Sequence, residues 1–145
     1  LNQWTHIACV KSGANSFIYI NGVLDNSRTL SANTMGAIAN NAPINLGRLR
    51  DLSARFLNGQ MDEVKVFNTA RSATQIISDM ASTSPVGAVG YWNFDQSTGT
   101  SATDLVSANN AILTNGPLWA LRVTDQTDNG GAGLGALRQA INEAN

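Results

Sequence analysis

The N-terminal part of the chain alternates apolar and polar positions in short runs typical of an antiparallel sheet. Residues 4–10 and 17–20 are rich in β-branched and aromatic side chains, and the segment KSGAN between them carries turn residues. Asn21 and Gly22 then separate the second run from Val23 and Leu24. Because Asn-Gly tolerates the two positive φ angles of a type I′ turn, the pattern predicts three successive antiparallel strands.

Further strands are predicted downstream. The segment APINLGRL predicts a short strand, with Gly47 at its end or at a bulge. RFLNGQMDEVKVFN predicts a turn at Asn58 and Gly59, followed by a long strand over residues 60–67. VGYWNF and AILT indicate two later strands joined by the polar loop DQSTGTSATDLVSANN. The fold class predicted for this region is therefore all-β.

A helix interrupts the strands after residue 71. Ser72 and Gln75 have the spacing of a capping box, in which the hydroxyl and the amide satisfy N–H groups at the helix start. Pro85 cannot continue a helix, so the helix is expected to end before it. Its apolar side is expected to consist of Ile76, Ile77 and Met80.

The pattern changes again at Trp119. The segment LRVTDQTDNGGAGLGALRQAINEAN contains a short strand, a Gly-rich turn and an amphipathic helix. A stripe with helical spacing is formed by Leu137, Ala140, Ile141 and Ala144. A module boundary near residues 117–120 is therefore predicted, dividing the chain into residues 1–118 and 119–145.

Composition narrows the possible partners. Charged residues make up 13% of the chain, about half of the usual share. The formal net charge is −1 and the basic residues form no cluster, which argues against nucleic acid as a partner. No apolar run approaches the roughly 18–20 residues of a membrane span, so membrane insertion is not expected. The oligomeric state is left open.

Cysteine usage and the chain ends add two expectations. Cys9 is the single cysteine, which excludes an intrachain disulfide, and within HIACV it is interpreted as a small buried hydrophobe. The sequence opens on Leu1 and closes within a helical pattern, so it is expected to be a piece of a longer polypeptide. The lack of a signal peptide therefore says nothing about export.

Several motifs together resemble a known family. LNQWTHIACV, FIYINGVL, INLGR and FLNGQMDEVKVFNTARSATQI resemble, in order, the second half of a LamG-like jelly roll of the concanavalin A-like lectin/glucanase superfamily. The resemblance covers about residues 1–82 and implies an antiparallel β-sandwich that lacks its early strands. VGYWNFDQSTGTSATDLVSANNAILTNGP resembles another signature of these modules. It either closes the present sheet or opens a second module.

The tail has its own resemblance. VTDQTDNGGAGLGALRQAINEAN is similar to the N-terminal cap of right-handed parallel β-helices in exported bacterial surface proteins. In such a cap, a helix covers the open end of the solenoid. The resemblance implies that residues 119–145 begin a β-helix domain, and it differs from the commoner form at GLGALRQ, where Ser usually precedes the Leu.

Asp62 and Glu63 are the first chemical candidates, because two adjacent carboxylates suggest an acid/base pair or a metal site. Neighbouring side chains on a strand point to opposite faces, so the two are not expected to converge on one substrate atom. Glu63 is expected to pair with Lys65 at an exposed position, and Asp62 to accept hydrogen bonds from loop backbone. A structural role is favoured over calcium binding, and calcium binding over catalysis.

Two loops are candidates for calcium binding, since related jelly rolls, the pentraxins among them, bind calcium through acids and amides. GRLRDLSARF carries three arginines and one acid, Asp51, which disfavours a cation. The later polar loop offers the four candidate ligands Asp95, Asp104, Asn109 and Asn110. Bracing of their own loop is favoured over ion binding. No cofactor is predicted, and calcium is kept as an alternative.

The sequence contains no recognisable catalytic constellation. His6 is the single histidine and has no partner for a triad or a zinc site, so it is interpreted as a partly buried structural residue. The carboxylate cluster that related glucanases carry on one strand is missing. GGAGLG lacks the Lys-Ser/Thr of a phosphate loop. The chain is therefore predicted not to be an enzyme, with no catalytic and no metal residues.

Exposed rings that stack on sugars are the remaining candidates. They are Trp4, Phe17, Tyr19, Tyr91, Trp92, Phe94 and Trp119. Core packing is favoured for any single ring, although the alternation of Tyr91 and Trp92 allows one of the two to face outward.

Three functions follow from these observations. The first is a non-catalytic carbohydrate-binding or adhesion module of a large secreted or cell-surface bacterial protein, with a glycan or a cell-surface protein as partner. The second is an accessory domain of a carbohydrate-active enzyme, a polysaccharide lyase or hydrolase, whose active site lies outside this sequence. The third is a spacer without a ligand. The sequence does not identify the ligand.

Overall fold

The computed structural model of the chain describes residues 3–29, 42–48 and 56–119. Its elements are β1 (Ile7–Ser12), β2 (Asn15–Ile20), β3 (Val23–Thr29), β4 (Val64–Phe67), α1 (Ala73–Ala81), β5 (Ala88–Trp92), β6 (Ser101–Ala102) and β7 (Ala111–Ile112). They form the sheet β1-β2-β3 and the pairs β4-β5 and β6-β7, all antiparallel. Antiparallel sheets with one short helix are the architecture of an incomplete jelly-roll sandwich, which confirms the predicted fold class.

The meander β1-β2-β3 follows the sequence pattern closely. Asn21 and Gly22 have φ angles of 50° and 79°, as a type I′ turn requires, and the Asn21 amide donates to the His6 carbonyl at 2.9 Å. The turn between β1 and β2 is tighter than the predicted loop KSGAN. Pairing continues to Ser12 opposite Asn15, so Gly13 and Ala14 alone make the connection.

One face of this sheet is apolar and exposed. Cross-strand register places Ile7 opposite Ile20 and Cys9 opposite Ile18, while Ile20 also pairs with Val23. All five side chains are exposed. We call this set, Ile7, Cys9, Ile18, Ile20 and Val23, the open face. The prediction that Cys9 is buried was wrong, because the period of two places it on the open face rather than beside its buried or half-buried neighbours Ala8 and Val10.

The strand predicted over residues 60–67 is shorter than expected. Glu63 has a φ of 56°, in the left-handed region, which breaks the extended chain, and β4 begins at the next residue. β4 pairs with β5, so the segment VGYWNF joins the sheet pair of residues 64–67. The strand predicted within APINLGRL was wrong: the described part of that segment holds a single bridge, between Arg48 and Phe56.

Helix α1 has the predicted start and lies against the meander. The Ser72 hydroxyl accepts from the Gln75 amide at 3.3 Å and the Gln75 side chain accepts from the Ser72 amide at 2.9 Å, which confirms the capping box. Of the predicted apolar side, Ile76 is buried while Ile77 and Met80 are exposed in part. Ile77 nevertheless contacts the turn between β2 and β3, because a Cβ at Gly22 would lie 2.8 Å from its Cγ1.

The second unit predicted from the sequence lies outside the described residues. This applies to the strand, the GGAGLG turn and the helix of residues 120–145, and the division at residues 117–120 stays a prediction. Among the residues that the structure describes, no helix is both long and apolar enough to cross a membrane.

Candidate functional site

Asp62 and Glu63 lie in the irregular segment before β4. The alternation of side-chain direction along a strand therefore does not determine where these two carboxylates point. Asp62 Oδ1 accepts from the backbone amide of Glu63 at 3.0 Å, a local turn-type hydrogen bond. Glu63 Oε2 accepts from the Tyr91 hydroxyl at 2.7 Å and lies 3.1 Å from Lys65 Nζ. The predicted ion pair between Glu63 and Lys65 is therefore confirmed, but Glu63 has a second partner that the sequence did not indicate.

Tyr91 is the centre of this polar cluster. Its side chain is 1% exposed, and Lys65 Nζ lies 5.0 Å from the centre of its ring. Burial raises the pKa of Tyr91 to about 12, with further contributions from the Glu63 hydrogen bond and from the charges of Glu63, Asp95 and Asp62. The Glu63 side chain is exposed, at 39%, as the sequence predicted. Its carboxylate is one acceptor in a partly buried network.

Asp79 connects α1 to β4 and was not identified from the sequence. Arg71 donates to both carboxylate oxygens of Asp79, from Nε at 2.8 Å and from Nη2 at 3.0 Å. The Arg71 guanidinium also lies 4.5 Å from the centre of the Phe67 ring. Lys65 Nζ donates to the backbone carbonyl of Asp79 at 3.0 Å, and the Lys65 side chain is 8% exposed. These contacts hold the helix in place, and both oxygens of the buried Asp79 carboxylate are bonded to Arg71.

Asp104 braces the polar loop after β5. Its Oδ1 accepts from the amides of Tyr91 and Val106 at 3.0 Å and of Ser107 at 3.2 Å, and its Oδ2 accepts from the Ser107 hydroxyl. Burial acts to raise the pKa of Asp104, but the hydrogen bonds outweigh it and the pKa falls to about 2. The predicted bracing role of Asp104 is confirmed.

The other loop candidates have similar local partners. Asn110 Oδ1 accepts from the Asp104 amide at 3.0 Å, and the Asn109 side chain donates to Ser107 Oγ at 2.8 Å. Asp95 Oδ2 accepts from the Asn93 side-chain amide at 2.5 Å. Across residues 3–29, 42–48 and 56–119, no three His, Cys, Asp or Glu side chains are grouped as a metal would require. Asp51 and its neighbouring arginines Arg50 and Arg55 lie outside the described residues.

His6 is held through its backbone. Its amide donates to Asn21 Oδ1 at 2.9 Å and its carbonyl accepts from the Asn21 amide. The residue is half-buried, and Nδ1 has no hydrogen-bond partner. Burial, and secondarily the charge of Lys65, lowers the pKa of His6 below its usual value. The predicted partial burial of His6 is confirmed, and the structural role of its side chain stays a prediction.

The aromatic residues divide into buried and accessible rings. Tyr91 and Trp92 are both buried, at 1% and 7% exposed, so the prediction that one of them could face outward was wrong. The Trp92 ring lies on Gly90, and its Nε1 donates to the Asn109 carbonyl at 3.1 Å. The loop after β5 therefore covers the face of the strand opposite Tyr91.

Trp4 is the accessible member of the set. Its side chain is 67% exposed, whereas Tyr19 is buried and Phe17, Phe94 and Trp119 are half-buried. Trp119 is further held by a hydrogen bond from Nε1 to the Gly99 carbonyl at 2.9 Å. Of the seven rings predicted as sugar-stacking candidates, Trp4 thus has the face available for stacking.

The antiparallel sheets, the flanking helix and the braced loop together define a jelly-roll module of lectin-like type. Residues 1–77 match the Concanavalin A-like lectin/glucanases superfamily, and the chain belongs to this superfamily. No curated protein matches the chain significantly. The superfamily includes both binding proteins and enzymes, as its name states, so membership alone leaves the activity open.

Two solved structures are similar to the chain. One is a Bacteroides ovatus protein whose name gives it a provisional carbohydrate-binding role; it aligns at a TM-score of 0.63 and 24% identity over 79% of this chain and 35% of its own. The chain thus spans about a third of the length of that relative. The other is an S-layer domain-containing protein from Clostridium thermocellum, at a TM-score of 0.40 and 26% identity over 56% of this chain and 40% of its own.

Proposed function

We propose that the chain is a non-catalytic carbohydrate-binding module of a secreted or cell-surface protein. The observation that carries this proposal is membership of the lectin/glucanase superfamily over residues 1–77. The likeness in fold to a Bacteroides ovatus protein provisionally named as carbohydrate-binding supports it at the same coarse level. A glycan, either free or on a cell surface, is the partner that this assignment implies.

The chemistry of the described carboxylates supports a binding role over a catalytic one. Glu63, Asp79 and Asp104 each accept hydrogen bonds from the protein's own groups, and Asp104 is held in the charged form by four such donors. A glycosidase needs one carboxylic acid with a raised pKa opposite a second carboxylate at a defined separation. Here the pKa of the buried Asp104 carboxyl is lowered, which suits a structural residue rather than a proton donor.

Trp4 is the residue we assign to ligand contact. A sugar ring presents C–H groups on one face, and these pack on an aromatic ring that presents a large, rigid surface. Trp4 is exposed at the entrance to β1, while the hairpin bond between His6 and Asn21 holds the backbone close by. Trp4 thus offers a flat aromatic surface next to a backbone segment that is held in place.

The test is a glycan array probed with the full chain, followed by titration calorimetry on the best ligand. Trp4→Ala is expected to abolish measurable binding, while Trp4→Phe retains part of it. Val86→Ala is the matched control, because Val86 is also exposed and apolar but lies in the turn before β5. Circular dichroism of all variants verifies that the sheets persist.

Two outcomes would contradict the proposal. Absence of binding to every glycan would favour the ligand-free spacer. Hydrolysis or cleavage of a bound glycan by the pure chain would contradict the non-catalytic assignment. Loss of binding in chelator would leave carbohydrate binding intact and would add calcium as a requirement.

A further inference from the structure

The chain contains four Asn-Gly dipeptides, and three of them lie in the described residues, at Asn21, Asn58 and Asn115. Asn-Gly is the dipeptide most prone to intramolecular deamidation, because glycine has no side chain to shield its backbone nitrogen. The three sites have the same local sequence chemistry. Their surroundings in the fold are therefore what distinguishes them.

Asn21 is exposed, but hydrogen bonds to His6 hold both its side chain and its backbone. Its Oδ1 accepts from the His6 amide at 2.9 Å, and its own amide donates to the His6 carbonyl at 2.9 Å. The following residue, Gly22, is buried, and the Ile77 side chain occupies the space in which its Cβ would lie. Attack by the Gly22 nitrogen on the Asn21 side chain requires these contacts to open.

Asn58 and Asn115 have no such restraint. Both asparagines and the glycines that follow them are exposed, and no side-chain hydrogen bond holds either asparagine within the part of the chain that the structure describes. A Cβ at Gly116 would meet nothing within 4 Å, and one at Gly59 would meet only the Leu57 side chain, at 3.9 Å. The side chain and the attacking nitrogen are free to approach each other at both sites.

From this contrast we infer that Asn58 and Asn115 are sites of spontaneous deamidation in the folded protein, whereas Asn21 is protected. In the reaction, the backbone nitrogen of the glycine gives up its proton and bonds to the side-chain carbonyl carbon of the asparagine. Ammonia leaves and a succinimide ring forms. One water then opens the ring to aspartate or isoaspartate, so each event exchanges a neutral amide for a carboxylate. No cofactor or oxidant is needed.

The modification would alter the surface and spare the meander. Asn58 lies beside the Arg48–Phe56 bridge and Asn115 lies in the segment that joins β7 to Trp119, both outside β1-β2-β3. Each conversion adds one negative charge to a chain with a formal net charge of −1, so the modified forms separate by ion exchange. Isoaspartate also lengthens the backbone path at that residue.

The experiment incubates the intact chain in mildly alkaline buffer and follows each site by tryptic peptide mass spectrometry in ¹⁸O-labelled water. Cleavage after Lys11, Arg28, Arg55, Lys65, Arg71 and Arg122 places the three asparagines in three different peptides. We expect Asn21 in the folded chain to deamidate at least about tenfold more slowly than Asn21 in the urea-unfolded chain, because the reaction requires local opening of the fold. Asn58 and Asn115 should convert within a few-fold of their unfolded rates.

Two variants make the test specific. Asn115→Gln should remove the mass shift from its peptide and leave the rate at Asn58 unchanged. Ile77→Ala should speed conversion at Asn21 while the other two sites keep their rates, because it removes the side chain that packs on Gly22. Equal native rates at all three sites, or slow conversion at Asn58 and Asn115 with fast conversion when unfolded, would overturn the inference.

Discussion

The backbone amide of Tyr91 donates to Oδ1 of Asp104 at 3.0 Å, and the Tyr91 carbonyl accepts from the amide that follows Asp104 at 2.8 Å. The edge of β5 away from β4 is therefore covered by a loop rather than by another strand. A side-chain oxygen replaces the carbonyl that a neighbouring strand would supply. This one carboxylate thus ends the sheet and holds the loop that covers Trp92.

Replacing Asp104 by Ala should destabilise the protein by about 1–3 kcal/mol, because the buried amide of Tyr91 and the part-buried amides of Val106 and Ser107 lose their acceptor. Urea unfolding followed by tryptophan fluorescence measures the free energy of unfolding. Asp25→Ala is the control, since Asp25 is exposed on β3 and should change stability little. Equal effects of the two substitutions would show that Asp104 is not a brace.

The stability of the protein should also depend on pH through Asp104. Its pKa falls from an ordinary value of 3.8 to about 2 on folding, so the unfolded state binds the proton first as pH drops. The contribution is therefore fully present above about pH 4 and is lost as pH falls towards 2. Unfolding measured across this window should show a slope that Asp104→Asn reduces.

Glu63 and Tyr91 should behave as a coupled pair. Tyr91→Phe removes one hydrogen bond and is expected to cost about 0.5–1.5 kcal/mol. Glu63→Gln should leave glycan binding nearly unchanged but should lower stability, because Lys65 loses its charged partner. A double-mutant cycle should give a coupling of about 0.5–3 kcal/mol, as for residues in direct contact. Strict additivity of the two effects would contradict the pairing.

Tyr91 adds a second pH dependence at the alkaline end. Its pKa rises from 10.0 to about 12 on folding, so the unfolded state loses the proton first as pH rises. The stabilisation is present below pH 10 and disappears as pH approaches 12. Absorbance titration of the tyrosine side chains, with Tyr91→Phe as the reference, distinguishes the ionisation of Tyr91 from that of Tyr19.

Gly22→Ala should destabilise the protein more than Gly13→Ala. Both glycines have positive φ, at 79° and 57°, where a side chain costs roughly 1–2 kcal/mol. At Gly22 the added methyl would also meet Ile77 Cγ1 at 2.8 Å, whereas at Gly13 it would meet nothing within 4 Å. Thermal unfolding of the two variants measures the difference, which Ile77→Ala should diminish.

The open face should make the chain prone to association. Ile18→Thr, in the middle of this face, is expected to reduce binding of a hydrophobic dye and to slow aggregation at little cost in stability. Val10→Thr is the matched comparison, because Val10 is half-buried on the opposite face and should lose stability. Unchanged dye binding in Ile18→Thr would show that this face is not the apolar surface responsible.

Local chemistry was enough to predict several elements. Asn21 with Gly22 specifies a type I′ turn, and the capping box at Ser72 specifies a helix start, because both depend on residues that are adjacent in the chain. The pairing of β2 with β3 follows from the same turn chemistry, whereas β1 and β2 are joined at Gly13 and Ala14 by a tighter turn than the sequence predicts. The bracing role of Asp104 was likewise predictable, since its partners Val106 and Ser107 are close in sequence.

Only the tertiary structure decided the rest. Glu63 adopts a left-handed φ that interrupts the predicted strand. Its carboxylate bonds to Tyr91, 28 positions further along the chain, and no local sequence pattern indicates such a contact. Tyr91 and Trp92 are both buried because the loop after β5 folds back over the second face of this strand, which the alternation along the strand does not report. The exposure of Cys9 likewise depends on which face of β1-β2-β3 is covered. The period of two determines which side chains share a face, but it does not determine which face is covered, because covering depends on what packs against the sheet.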